Sequence, residues 1–399
     1  MRRLLQINTN IGWNSVGRIA GQIGDAAIAA GWESYIAYSR DPGGVAGGST
    51  SQLIRIGSRP DRYAHGLLTR LTDAHGLGSA AATRRLISRI DELSPDVVHL
   101  HNIHGYYINY PILFDYLSRS GIPVVWTLHD CWPLTGHCAF PAATGCDRHQ
   151  CVCRDCSQTR SYPASWLRSR ASANQHRKAE TFGSVANLTI VPVSHWLNSI
   201  VSGSFLGDKP RLVIHNGIDV DIFNRTDAVP TRSVLAAASV WDERKGLGDL
   251  VGLRALLPDD VGVCVLGLSR SQCKRMPAGI TALPRCDDTA RLATYYSEAG
   301  VFINLSSADN LPSVNLEAQA CGTPVVCYDS GGMPETVSHE TGLVVPRGDI
   351  GAMAHAVMRV LDSRRQKYHA AECRNHILAH FDAAHAFDKY IGLYNKLSE

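Results

Sequence analysis

Long hydrophobic runs are missing from this 399-residue chain: nothing in it approaches the roughly eighteen consecutive apolar residues that a membrane-crossing helix requires. The start, Met1-Arg2-Arg3-Leu4-Leu5-Gln6-Ile7-Asn8, is too short in its apolar part for a secretory leader. The expectation is a cytoplasmic protein, peripheral at the inner face of the membrane at most. Charge of either sign is also in short supply. Lys and Arg number 39 against 36 Asp and Glu, a formal net charge of +3, and charged residues make up 19% of the chain. That balance argues against nucleic acid as a partner, and no block of like charge is long enough to act as a polybasic arm. What is present is 45% hydrophobic residues in a chain long for one core and ordinary for two.

Short apolar runs alternate with helical patterns, the signature of parallel βαβ units. In the first half the runs are 4–7, 34–38, 96–101, 123–128 and 188–193; in the second they are 211–214, 234–240, 261–266, 301–305, 324–328 and 342–345. Two such series predict an α/β protein with two Rossmann-like lobes, residues 1–205 and 206–385, divided where Gly203, Gly207 and Pro210 cluster. The cleft between the lobes is the expected site. Phe387, Tyr390, Ile391, Tyr394 and Leu397 give residues 386–399 one apolar helical stripe. The glycine-rich stretch 41–50 reads as a flexible loop.

Two carboxylates, Asp309 and Glu317, stand eight positions apart across a turn that opens a helix and precedes a buried strand. Asp309 falls at the carboxyl edge of a sheet, where doubly wound folds place ligands, and Glu317 about two turns into the helix, within reach of a ribose. The loop residue Asn310 and the backbone amides of Leu311, Pro312, Ser313 and Val314, at a helix N-terminus, suit a diphosphate. Arg244 and Lys245, after another strand, supply cationic donors for the same group. Gly12, Gly17 and Arg18 follow the first strand and lead into a helix, so backbone there can approach a phosphate or acceptor closely. His129 ends the run 123–128, with Asp130 beside it to orient the ring. His101, Asn102 and His104 end an earlier run and read equally as an acceptor wall or as packing.

At Asp309 to Glu317 and the following Cys321-Gly322-Thr323-Pro324, the chain resembles the retaining glycosyltransferases of family 4, which have the GT-B fold. Trp126-Thr127-Leu128-His129-Asp130, Arg244-Lys245-Gly246, Asn216-Gly217-Ile218-Asp219 and Gly331-Gly332-Met333-Pro334-Glu335 are similar to further motifs of that family. The resemblance implies that Asp309 and His129 hold the donor sugar, that Glu317 holds the nucleotide ribose, and that Lys245 and Arg244 hold the diphosphate. It also implies a last helix that crosses back to the first lobe. Asp309 stands where Glu is usual, and an additional Arg common near Ser239 and Val240 is missing. Asp219-Val220-Asp221 looks like a metal-binding Asp-x-Asp, but its place in the Asn-Gly-Ile-Asp loop argues for no catalytic metal.

Six of twelve cysteines fall in the insert 131–156. Cys153-x-x-Cys156 has knuckle spacing, and Cys138 with Cys146 could complete a four-thiolate zinc site, with His137 and His149 as substitutes. Packed thiols and disulfides remain open as readings. The insert resembles one in colanic-acid and exopolysaccharide-type bacterial transferases. Arg160, Trp166, Arg168, Arg170, Arg177 and Lys178 follow it, as a solvated helix face or as a contact for an anionic membrane. The expected function is retaining, metal-independent transfer of a sugar from a UDP- or GDP-sugar to a hydroxyl of a lipid-linked bacterial surface glycan. A GT-B sugar-nucleotide epimerase and a non-catalytic nucleotide-sugar sensor are the alternatives.

Overall fold

The computed structural model describes residues 1–12, 14–41, 49–147, 150–363 and 369–399. The glycine-rich stretch, from 42 to 48, and His149 lie outside the described residues. The chain forms two compact units, Met1–Ile214 with Phe387–Glu399, and His215–Ala386.

The first unit is built on a six-stranded parallel sheet of β1 (Arg3–Asn10), β2 (Glu33–Arg40), β3 (Gln52–Arg55), β4 (Val97–Leu100), β5 (Val124–Leu128) and β6 (Leu188–Pro192), in the order β3-β2-β1-β4-β5-β6. Strands β4, β5 and β6 are buried along their whole length, as expected of parallel strands covered on both faces. The second unit repeats the plan with β7 (Ser233–Ala237), β8 (Gly262–Leu268), β9 (Ile280–Pro284), β10 (Val301–Asn304), β11 (Val325–Tyr328) and β12 (Gly342–Val345), in the order β12-β11-β10-β7-β8-β9. Each order reverses once, at β1/β4 and at β10/β7, the position in doubly wound sheets outside whose carboxyl ends ligands bind.

Two strands went unread in the sequence, β3 and β9. Both are edge strands of mixed exposure, without a continuous apolar run. Conversely, 211–214 is not a strand of the second half. It runs beside β6 in the first unit, where the Leu212 and Ile214 N–H groups donate to the Ile190 and Pro192 carbonyls at 3.1 and 3.2 Å.

The final helix, Ala383–Leu397, crosses back, its residues from Phe387 onward belonging to the first unit. There Tyr394 Oη lies 2.6 Å from His99 Nδ1 and Tyr390 Oη 2.9 Å from Thr127 Oγ1. His99 Nε2 and Thr127 Oγ1 are themselves 2.8 Å apart, so two tyrosines close a buried polar chain between β4 and β5. Buried hydroxyls need such partners, since an unpaired one costs about 1 to 3 kcal/mol.

Candidate active site

In the second unit the strand-order reversal brings two loops together. After β7 the chain makes a 3-10 turn, Glu243–Lys245, capped by Asp242, whose carboxylate accepts the Lys245 N–H at 3.1 Å. Gly246 ends the turn at φ 75°, where a Cβ would collide with the Leu305 carbonyl oxygen of the loop after β10. Ser307 N–H donates to Arg244 O at 2.7 Å, tying the loops backbone to backbone. The side chains then meet. Lys245 Nζ donates to Asp309 Oδ2 at 2.6 Å, and an Arg244 guanidinium nitrogen lies 4.0 Å from the same oxygen while donating to Ala308 O at 2.8 Å. Burial pushes the Asp309 pKa up, but the Lys245 and Arg244 charges and the Lys245 hydrogen bond outweigh it, so the carboxyl stays below its ordinary value.

The Gly-Gly turn is part of this site. Gly331, at φ 63°, packs so closely on Asp309 that a Cβ would strike its carbonyl oxygen, and Gly332 N–H donates to that oxygen at 2.9 Å.

The helix that follows Asp309 runs Ser313–Ala320 with Pro312 as its N-cap residue. Two expectations need correcting. Proline has no N–H, so Pro312 donates nothing, and the helix offers only the amides of Leu311, Ser313 and Val314. Glu317 is the fifth helical residue rather than two turns in. It is buried, and one carboxylate oxygen accepts the Tyr296 hydroxyl at 2.7 Å.

Sequence reading missed what fixes this helix. Asn304 Nδ2 donates to Asn315 Oδ1 (2.9 Å), Asn315 Nδ2 to Thr336 Oγ1 (2.9 Å), and Gln319 Nε2 to Thr336 O (2.7 Å), all buried. The available signal was a polar residue, Asn304, closing an apolar strand. Asp219, in contrast, is a turn residue: its Oδ1 accepts the N–H groups of Asp221 and Ile222, both at 3.1 Å.

In the first unit His129 lies just beyond β5, half-buried, its pKa lowered to about 4 by burial against the opposing charge of Asp130. Its tautomer follows by elimination. Gln6 Nε2 donates to Ala20 O at 2.9 Å, so Gln6 Oε1 is the acceptor for His101 Nε2 at 3.0 Å. Neutral His101 then accepts at Nδ1 from His129 Nε2, 3.2 Å away. His129 Nδ1 is left as the acceptor nitrogen of its ring.

Asp130, expected beside His129 to orient the ring, spends its carboxylate hydrogen bonds on other partners. Its Oδ2 takes His104 Nε2 at 2.8 Å and its Oδ1 the Trp132 N–H at 2.9 Å, while His104 Nδ1 meets Tyr162 Oη at 2.8 Å. His101 and His104 are buried members of these networks. Gly12, at φ 64°, lies in the bend after β1. Gly17 lies within the helix Asn14–Ala29, its N–H donating to Asn14 Oδ1 at 3.0 Å, and Arg18 is exposed on that helix.

The insert carries free thiols. Cys138 and Cys156 share a hydrogen bond that lowers the pKa of Cys156 and, with burial, raises that of Cys138. Cys153 Sγ accepts Gly136 N–H at 3.3 Å, and Cys156 accepts a bond from the Gln158 backbone. Among the described residues no three of these sulfurs lie within 4.8 Å of one another. Lys178 is not on a solvated face. It is buried, and Nζ donates to Trp132 O and Thr135 O at 2.6 and 2.9 Å.

The sequence profile of Glycosyltransferase Family 4 matches residues 16–222, and that of Glycosyl transferases group 1 matches residues 238–375. WcaC of Escherichia coli (strain K12), a glycosyl transferase assigned to colanic acid biosynthesis, is 24% identical over 368 residues, 87% of this chain and 88% of its own length. Among solved structures, sucrose-phosphate synthase from Thermosynechococcus elongatus superposes with a TM-score of 0.72 at 16% identity, covering 100% of this chain and 99% of the other. Anabaena Alr3699/HepE in complex with UDP-glucose gives 0.67 at 14% identity, covering 99% and 100%. These likenesses carry the fold, and the profiles carry the family: the chain belongs to glycosyltransferase family 4 and is a glycosyltransferase of the GT-B fold.

Proposed function

We propose that this glycosyltransferase moves a sugar from a UDP- or GDP-sugar to a hydroxyl of a lipid-linked bacterial surface glycan, with retention of anomeric configuration and without a catalytic metal. The observation that carries the reading is the Lys245–Asp309 pair at the β7/β10 reversal. Cations and a carboxylate held together beside a helix N-terminus match a donor with both phosphate charge and sugar hydroxyls. In this reading Lys245, Arg244 and the Leu311, Ser313 and Val314 amides take the diphosphate, and stabilise the charge that grows on it as the glycosidic bond breaks. Asp309 takes sugar hydroxyls and Glu317 the ribose. His129, its ring held by His101, is the first unit's contact for the donor sugar. The surface-glycan acceptor is supported by the likeness to WcaC, and a nucleotide-sugar donor by UDP-glucose in the Anabaena structure.

The experiment is a product assay with UDP- and GDP-sugars against lipid-linked glycan extracted from bacterial membranes, read by mass spectrometry, with anomeric configuration from NMR. Transfer that retains configuration supports the proposal. Donor hydrolysis or isomerisation at equal rate without acceptor refutes it.

A structural zinc on Cys138, Cys146, Cys153 and Cys156 belongs to the same proposal. The donor set fits it chemically: the thiols are unoxidised, and two sulfurs accept backbone N–H bonds of the kind that stabilise thiolates. Bound zinc would cross-link the insert and take no part in transfer. Elemental analysis of protein purified without chelator tests this, one zinc per chain being expected and none refuting it.

A further inference from the structure

The helix Arg59–Thr72 is inside out. Its buried residues are His65, Gly66 and Thr69, and the side it shows to solvent carries Tyr63 (77% exposed), Leu67 (53%), Leu68 and Leu71. Tyr63, Leu67 and Leu71 recur every four residues and so form one stripe. Single exposed hydrophobic residues are ordinary, but a continuous row of large ones on a helix is not.

A second segment extends the stripe. Trp166 (62% exposed) and Leu167 (71%) project from the loop that leads away from the cysteine insert. Trp166 N–H donates to Arg70 O at 2.7 Å, and the Arg70 guanidinium lies 5.6 Å from the Trp166 ring centroid, so loop and helix form one surface. The loop is held in place. Ser165 N–H donates to Thr159 O, Ser165 Oγ to Arg168 O, and Arg170 N–H to Asp73 Oδ2 at 2.6 Å. Ordered backbone therefore holds out an indole and a leucine that the fold leaves uncovered.

The exposed charges on these two segments have one sign. Arg59, Arg160, Arg168 and Arg170 are exposed. The acids of the two segments are engaged elsewhere: Asp61 accepts Ser79 Oγ at 2.7 Å, and Asp73 is buried against His137 and the Arg170 N–H. Exposed aromatic and leucine side chains on segments that also carry exposed arginines match the boundary of a bilayer, where apolar groups enter the acyl region and cations meet headgroup phosphates.

We infer that Tyr63, Leu67, Leu71, Trp166 and Leu167, with Arg59, Arg160, Arg168 and Arg170, dock the first unit on an anionic lipid bilayer. The contact involves no donor-site residue, and so it stands or falls separately from the donor and acceptor proposed above. It assigns Arg160, Trp166, Arg168 and Arg170 to the membrane and removes the buried Lys178 from that set.

The test is co-sedimentation of the full chain with phosphatidylcholine vesicles and with vesicles containing one-third phosphatidylglycerol, without donor or acceptor. Binding to the anionic vesicles at least tenfold tighter than to the neutral ones, weakened by salt, is expected. Leu67→Ser with Trp166→Ser should lower anionic-vesicle binding at least tenfold, and Arg160→Glu with Arg168→Glu should remove the anionic preference. All four side chains are outside the donor site, so Tm and turnover on a detergent-solubilised acceptor should be unchanged. Failure of the wild-type chain to bind anionic vesicles, equal binding to both vesicle types, or unchanged binding in both double variants overturns the proposal. So does a concentration-dependent dimer abolished by Leu67→Ser with Trp166→Ser, which would mean that a second copy covers this face.

Discussion

Lys245 Nζ and Asp309 Oδ2 stand 2.6 Å apart although 64 residues separate them in sequence. One loop follows β7 and the other β10, so the pair exists because the strand order places these neighbours at the reversal. In the sequence the two residues drew separate roles, phosphate ligand and sugar ligand. Their pairing means that removing either leaves the other short of its partner.

Lys245→Ala should therefore weaken donor binding and turnover together. A hydrogen bond to a charged group contributes about 1.5 to 3 kcal/mol, which corresponds to a loss of roughly ten- to a hundredfold. Calorimetric titration with the donor checks it, and unchanged affinity would remove Lys245 from the site.

Asp309 and Glu317 should separate in their effects. Asp309→Asn is expected to lower the transfer rate while the free nucleotide diphosphate still binds, because only the donor has the sugar that Asp309 would contact. Glu317→Gln should weaken donor and free nucleotide alike, and Tyr296→Phe, which removes the hydroxyl bonded to Glu317, should do so more mildly. Equal nucleotide losses in the Asp309 and Glu317 variants would refute the division of labour.

Gly331→Ala is expected to be severe for a residue without a side chain. A left-handed backbone costs a non-glycine residue about 1 to 2 kcal/mol before any collision, and here the new methyl meets the Asp309 carbonyl. A lowered Tm together with loss of transfer is the expected result. Gly121→Ala, also at positive φ but in open space, should lower Tm by the backbone cost alone and leave transfer intact.

Stability should fall with acid through His65. Its Nε2 accepts the Gly76 and Gly78 N–H groups at 3.1 and 3.2 Å, which requires a neutral ring, and burial lowers its pKa to about 4 from an unfolded value near 6.5. Between those values the unfolded chain binds the extra proton, so stability rises with pH and is lost as pH drops from 6.5 toward 4, by on the order of 3 kcal/mol. Urea unfolding of the wild type and His65→Gln at pH 7.5 and 4.5 should show the gap between them narrowing in acid.

Transfer should survive EDTA for the length of an assay, since Asp219 serves its own turn by accepting the Asp221 and Ile222 N–H groups. Activity lost to chelator and restored by magnesium or manganese would refute this.

The central strands were legible because a strand buried on both faces is a continuous apolar run, as in β4, β5 and β10. Edge strands β3 and β9 carry no such run, and so they were silent. At the site, residue types near strand ends could be read, but partners could not. Asp130 follows His129 directly, yet it serves His104, because adjacent residues leave the backbone in different directions. The ring that orients His129, that of His101, lies just past the end of β4, with Gln6 of β1 behind it. The Gly331 contact with Asp309 likewise depends on which loops the sheet order places side by side.

The tyrosines of the final helix set an order of events during synthesis. His99 and Thr127 leave the ribosome well before their hydroxyl partners, Tyr394 and Tyr390, which follow them by 295 and 263 positions. Until those residues emerge, the polar groups between β4 and β5 have nothing to close them, and translation at about 5 to 20 residues per second leaves the first unit unfinished for many seconds. A chain truncated before Tyr390 never receives that closure.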